Sequence, residues 1–390
     1  MLKGNFVMSI SDDFLYRTCK SILGINLDLQ PHESCLYFTD ISSDRESPAL
    51  RKRLVKARKI HSRMYDSFNT LKDEYPGLFG ATYDSTAAHG KEPPESIWRL
   101  AFGDELVDWL NRKEYMWRLL EEAKINPNQW HEIKVKIRQY TKSIVSAVIA
   151  FSWFSTTHTR FRSLLTHVGT RYISMPMLDE DVLKGPIAAE WDVVRTRTEV
   201  VASFLDKSEK VHISCPSGSD IWINFDPYRK VHLDTGFFTK TASFGNLPAG
   251  EAYIAPKEDG AYGKLVLTSG PDHPNIEQTT AIVENGIVVD FEKETPYAKI
   301  LMTHFGHEWN MRYVAEFGVG TNDCAHNAAS VIEGEKICGT IHIALGDNST
   351  FGGTVEAKGH LDHVIVSPTV YLYQKDGKKI KLIDRGKLVV

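Results

Sequence analysis

The stretch His342-Ile-Ala-Leu-Gly-Asp-Asn-Ser-Thr-Phe-Gly-Gly353, followed shortly by His360-Leu-Asp362, concentrates metal-ligand chemistry in about twenty positions. A histidine and an aspartate two residues apart on an extended segment point to the same face, so His360 and Asp362 can reach one ion. Upstream, Glu316 lies in Ala-Glu-Phe-Gly-Val-Gly-Thr-Asn322, and Glu251 lies in Gly-Asn-Leu-Pro-Ala-Gly-Glu-Ala-Tyr253. Carboxylates in such glycine-rich, apolar surroundings call for a cation, and glycine lets backbone approach an ion without a side-chain clash.

Working outward, the neighbouring segments read as short strands between turns: Val211–Ser214, Asp220–Asn224, Gly263–Thr268, Thr280–Val283 and Gly286–Phe291. A strand-rich second domain over 207–390 therefore contains every candidate ligand. The first 206 residues alternate helix and strand signals and predict an open α/β domain. A helix runs over Asp12–Leu23 with Ser11 or Asp12 as cap, Ser34–Thr39 is a buried strand, and a charged helix follows from Pro48 to Tyr65. A helical insertion occupies about 75–140, beginning with a loop rich in Gly, Pro, Ser and Thr over Tyr75–Pro94. Glu95–Tyr140 then has Trp98, Leu106, Trp109, Leu110, Trp117 and Leu120 as a buried stripe. A strand at Ile144–Phe151 leads into a polar loop where His158 and Arg160 are candidate substrate contacts, because strand ends in α/β sheets attract ligands. Asp347, just after the His342 segment, is a third such candidate. A helix over Glu190–Leu205 closes the first half. The predicted fold class is thus α/β followed by α+β.

Composition excludes several roles. A net charge of −4 gives no case for nucleic acid or an acidic membrane, and no apolar run is long enough to cross a bilayer. No cationic segment leads into an apolar stretch at the start of the chain, and the five cysteines are odd in number and lack Cys-x-x-Cys spacing. A cytoplasmic protein without a disulfide framework is expected. The sequence also lacks a P-loop, a GxGxxG turn, a Gly-x-Ser-x-Gly elbow, an HExxH helix and an EF-hand loop. Metal chemistry on strands and loops remains. Glu251, Glu316, His342, His360 and Asp362 suffice for two ions sharing carboxylates, with His304, His307, His326 and His363 as spare histidines.

Four segments in one order, Asn246-Leu-Pro-Ala-Gly-Glu251, Ala315-Glu-Phe-Gly-Val-Gly-Thr-Asn322, Gly339-Thr-Ile-His-Ile-Ala-Leu-Gly346 and His360-x-Asp362, resemble the signatures of the aminopeptidase T family of two-metal aminopeptidases. The resemblance implies an N-terminal α/β domain, a C-terminal catalytic domain of aminopeptidase T type and a homodimer. It also implies metal ligands at Glu251, Glu316, His342, His360 and Asp362 and two divalent ions, zinc, cobalt or manganese. Those ions would activate a water to release an N-terminal residue from a peptide or to cleave a related small amide. The aminopeptidases carry a tyrosine shortly after the histidine of the third segment. Here Asp347-Asn-Ser-Thr-Phe351 has none, and Tyr253 is the nearest substitute in the motifs. The family includes a divergent relative, 2,5-dihydroxypyridine 5,6-dioxygenase, with one Fe(II) held by two histidines and an aspartate. His360-x-Asp362 satisfies that pattern too, with a third ligand available from 304–316. Retention of both Glu251 and Glu316 favours the two-ion hydrolase, and loss of the tyrosine favours altered chemistry.

Overall fold

The structure is a computed structural model that describes residues 10–268, 270, 276–328 and 330–390. The chain divides into two compact units, one reaching Ala188 and regaining Gly236–Leu247, the other built from Ala189–Thr235 and Pro248–Val390. The helix Trp191–Asp206 therefore groups with the second unit, whereas the sequence places the boundary after it.

The first unit is a parallel sheet flanked by helices. β1 (Cys35–Ile41) pairs with β2 (Leu78–Asp84) on one side and β3 (Ala147–Ala150) on the other, and β3 pairs with β4 (Arg171–Ser174). The chain then builds β5 (Ser208–Ser214), β6 (Asp220–Phe225) and β7 (His232–Asp234) of the second unit before returning to add β8 (Phe244–Asn246) beside β4. β1 and β3 are buried along almost their whole length, which is why Cys35–Phe38 and Ala147–Ala150 read as unbroken apolar runs. β2 corrects the loop expected over Tyr75–Pro94. Its Gly80 and Thr82 look like loop residues, but Gly80 lies against the Tyr37 ring, where an added Cβ would come within 2.2 Å. The first helix, Asp12–Ser21, is capped by Ser11, whose Oγ accepts from Phe14 N at 3.1 Å.

The insertion forms helices Glu95–Phe102, Asp104–Arg112, Tyr115–Leu120 and Pro127–Gln139. Trp98, Leu106 and Leu110 are fully buried and Trp98 stacks on Phe102 at 5.1 Å, but Trp117 is 48% exposed and leaves the expected stripe.

The second unit has two antiparallel sheets. One contains eight strands in the order β12-β11-β10-β6-β5-β16-β17-β18, including β10 (Pro256–Leu267), β11 (Thr279–Glu284), β12 (Ile287–Phe291), β16 (Thr369–Gln374), β17 (Lys379–Asp384) and β18 (Lys387–Leu388). The other is ordered β15-β14-β13-β9-β7, with β9 (Glu251–Ile254), β13 (Val314–Gly320), β14 (Ile341–Gly346) and β15 (His360–Ile365). A single apolar core draws Val211, Ile213, Ile221 and Leu372 from the first sheet and Phe317, Val319, Ile341, Ile343 and Leu345 from the second. The five cysteines are free thiols. Among the described residues no helix is long and apolar enough to cross a membrane.

Candidate metal centre

The five-stranded sheet places the site by simple alternation. On β13, Phe317 and Val319 enter the core, so Glu316, Gly318 and Gly320 share the opposite face. On β14, Ile341, Ile343 and Leu345 face the core, leaving His342, Ala344 and Gly346 beside them. The register sets Gly318 against His342, Glu316 against Ala344, Ala344 against Asp362 and Gly346 against His360. Glu251 pairs with Gly320 from the other side. All five predicted ligands thus meet on one face of four adjacent strands.

Gly318 serves the His342 side chain. A Cβ on Gly318 would lie 2.1 Å from the His342 ring, so Gly318 clears a seat for the imidazole.

Two overlapping groups result, Glu251–Glu316–His342 and Glu316–His360–Asp362, each with ligand atoms within 4.8 Å of one another. His342 Nε2 lies 2.9 Å from Glu316 Oε1 and 3.4 Å from Glu251 Oε2. His360 Nε2 lies 3.3 Å from Glu316 Oε2 and 3.2 Å from Asp362 Oδ1. Burial disfavours a charged imidazole at both histidines. The Glu316 hydrogen bond and the Glu251, Glu316 and Glu335 charges outweigh it and raise His342 to about 9, while Asp362 and Glu316 hold His360 well above the ordinary range. Glu316 and Asp362 shift the other way, since their histidine partners outweigh burial.

These shifts register a buried excess of negative charge, and a cation would relieve it. Oxygen and imidazole donors suit a divalent metal, and among the described residues the buried Glu251 Oε2 has no hydrogen-bond partner. The residues fit a metal ion.

Around the cluster stand groups that sequence reasoning missed. Lys336 Nζ lies 2.5 Å from Glu251 Oε1 and 3.0 Å from Glu335 Oε1. Burial pushes the Glu335 carboxyl up to about 8 against the pull of Lys336. An aromatic wall adjoins His360. Phe351 meets its ring edge to face at 5.7 Å and Tyr253 at 5.5 Å, and Tyr253 stacks on His232 at 5.3 Å. The tyrosine-free segment therefore does face the site, through Phe351. Glu258 Oε1 anchors the loop that carries Phe351, accepting from Thr354 N at 3.0 Å and from the Arg229 guanidinium.

Other predicted residues have different surroundings. Asp347 holds its own loop: its carboxylate accepts from Ser349 N and Ala357 N, and its backbone carbonyl meets His360 Nδ1. Arg160 belongs to the first unit and donates to the carbonyls of Arg118 and Ala123 with Trp130 beneath it, which is a structural use. His158 is an exposed loop residue of the same unit. Of the spare histidines, His304, His307 and His326 are exposed. His363 faces the core, where burial lowers it to about 4 and the Tyr297 hydroxyl lies 2.9 Å from Nε2.

The fold is shared with two solved structures. A 2,5-dihydroxypyridine dioxygenase from Pseudomonas putida KT2440 superposes with a TM-score of 0.65 at 16% identity, covering 98% of each chain. Wild-type AmpT from Thermus thermophilus superposes at 0.63 with 14% identity, covering 97% of this chain and 99% of that one. In sequence, the chain is 23% identical over 235 residues to the 2,5-dihydroxypyridine 5,6-dioxygenase of Pseudomonas putida, a match spanning 56% of this chain and 65% of that protein. The family described as NicX, 2,5-dihydroxypyridine 5,6-dioxygenase, matches residues 123–390, which include the whole β7-to-β15 site, and the chain belongs to that family.

Proposed function

We propose that the chain is a ring-cleaving dioxygenase for a dihydroxylated nitrogen heteroaromatic, using one Fe(II) held by Glu316, His360 and Asp362, so that Glu316 stands in for one of the two histidines of the dioxygenase pattern. The observation that carries this reading is Phe351. It stands beside His360 in a segment, Asp347–Phe351, that has no tyrosine, and it offers a planar apolar surface without a hydroxyl to stabilise a tetrahedral oxyanion. Membership of the dioxygenase family supports it.

Ferrous ion, when bound, supplies the one-electron chemistry that couples dioxygen to an electron-rich ring. The chain's own residues do the rest. Phe351, Tyr253 and His232 form a wall suited to a flat ring. Burial and the charges of Glu316, Glu251 and Asp234 push the Tyr253 hydroxyl far above its usual range, so it stays protonated and serves as a donor to a ring oxygen. Asp347 holds His360 by Nδ1, which keeps Nε2 turned to the cluster.

A second reading, the two-ion aminopeptidase-like hydrolase, is favoured by the second group, Glu251–Glu316–His342, which shares Glu316 with the first. One experiment separates them. The Fe(II)-loaded protein should consume dioxygen on addition of 2,5-dihydroxypyridine, with loss of the ring absorbance. Release of amine from aminoacyl anilides by the zinc-, cobalt- or manganese-loaded protein, with no dioxygen uptake by the iron form, would reverse the assignment.

A further inference from the structure

The chain supplies a cation of its own to one side of the cluster. Lys336 is 2% exposed, and its Nζ lies 2.5 Å from Glu251 Oε1, 3.0 Å from Glu335 Oε1 and 3.7 Å from Asp234 Oδ2. Its main chain is pinned as well, the N–H donating to Glu333 O at 3.0 Å and the carbonyl accepting from Asn322 N at 2.8 Å. The ammonium is therefore fixed by backbone and side chain alike.

Glu251 is the carboxylate for which two cations compete. The group Glu251–Glu316–His342 needs it as a ligand, and Lys336 already holds one of its oxygens. A divalent ion there would share a buried carboxylate with an ammonium, and charges of like sign in a water-poor setting repel with little screening. The group Glu316–His360–Asp362 is different: among the described residues no lysine or arginine lies within ion-pair distance of Glu316 or Asp362. One half of the cluster is open to a metal, and the other is neutralised from within.

We infer that the Lys336 ammonium substitutes for a second metal ion and limits the centre to one divalent cation, at Glu316, His360 and Asp362. This rests on the one-ion reading above, but it concerns stoichiometry, so its test needs no turnover. The full chain, stripped of metal, is titrated with Mn2+ or Zn2+ and the bound ion counted by calorimetry and elemental analysis, with circular dichroism confirming the fold. Wild type and Lys336→Arg should bind one ion, and Lys336→Met, which keeps the length and loses the charge, should bind two. Glu251→Gln, with Lys336 intact, should still bind one, which tests the inference even if Lys336→Met does not fold. Two ions in wild type, one or none in folded Lys336→Met, or loss of the ion in folded Glu251→Gln would each overturn it. Failure to consume dioxygen would count against the proposed reaction and leave these counts unchanged.

Discussion

Nδ1 of His360 lies 2.7 Å from the backbone carbonyl oxygen of Asp347, and because a carbonyl oxygen only accepts, the ring proton there belongs to Nδ1. Nε2 is the nitrogen left for a metal, facing Glu316 and Asp362. Without an ion, both His360 and His342 are raised, His342 to about 9, so near pH 7 each carries a proton on Nε2 as well. Metal ligation must displace such protons. Loading the stripped protein at pH 7 should release about one proton per chain, from His360 Nε2, and affinity should rise with pH above neutrality. Calorimetry in buffers of differing ionisation enthalpy measures the release, and metal uptake without it would contradict this account.

Replacing His360 or Asp362 by Ala should weaken metal binding and turnover at least about 100-fold, since each supplies an atom to the group centred on Glu316. Elemental analysis should find the ion lost while far-ultraviolet circular dichroism keeps its native form.

Gly318→Ala should be destabilising by about 1–3 kcal/mol, because its Cβ would overlap the His342 ring. Gly306→Ala makes the contrast. That glycine is helical with nothing within 4 Å of a new Cβ, so the change should stabilise by about 0.5–1 kcal/mol. Denaturant midpoints decide both.

Glu92 predicts an unusual pH dependence. Its carboxylate accepts from Arg160 N at 2.5 Å and Phe161 N at 3.0 Å at the start of the helix Arg160–His167, yet burial outweighs these bonds and raises it to about 7. The folded protein thus holds this proton more tightly than the unfolded one. Stability is greatest below the unfolded value near 4.5 and declines by up to about 3 kcal/mol as pH rises through 7, the reverse of an ion-paired carboxylate. Glu92→Gln should flatten unfolding free energy between those limits, and an unchanged slope would count against the burial argument.

The homodimer proposed from the aminopeptidase T resemblance should appear in light scattering as twice 44.1 kDa. Trp117, 48% exposed with Arg118 stacked 4.6 Å above it, is the side chain of the insertion best placed to meet a partner. Trp117→Glu should then give the monomer mass.

The five residues of the cluster were legible because each sits in a short local pattern, and alternation along a strand already says which side chains share a face. Lys336, Glu335, Asp234 and His232 were not, because their relation to Glu251 or Tyr253 arises from strand pairing and a turn, with no local signal beyond a charged dipeptide. β2 was missed since a glycine that makes room for Tyr37 looks like a glycine that breaks structure. The division of the chain was hidden because β8 returns to the first sheet after β7, a long-range pairing that no composition shift marks. Arg160 misled because a guanidinium that closes carbonyls is indistinguishable in sequence from one that meets a ligand.

β15 spells His360-Leu-Asp-His363, with His360 and Asp362 toward the cluster and His363 toward the core. Moving that strand by one residue would present Leu361 and His363 to Glu316 and send Asp362 into the apolar interior. An ion gripped by His360 and Asp362 would therefore select one pairing of β15 with β14 and oppose the other. In that sense a bound metal would proofread the assembly of the sheet, since a chain zipped up out of step would have no place to keep it.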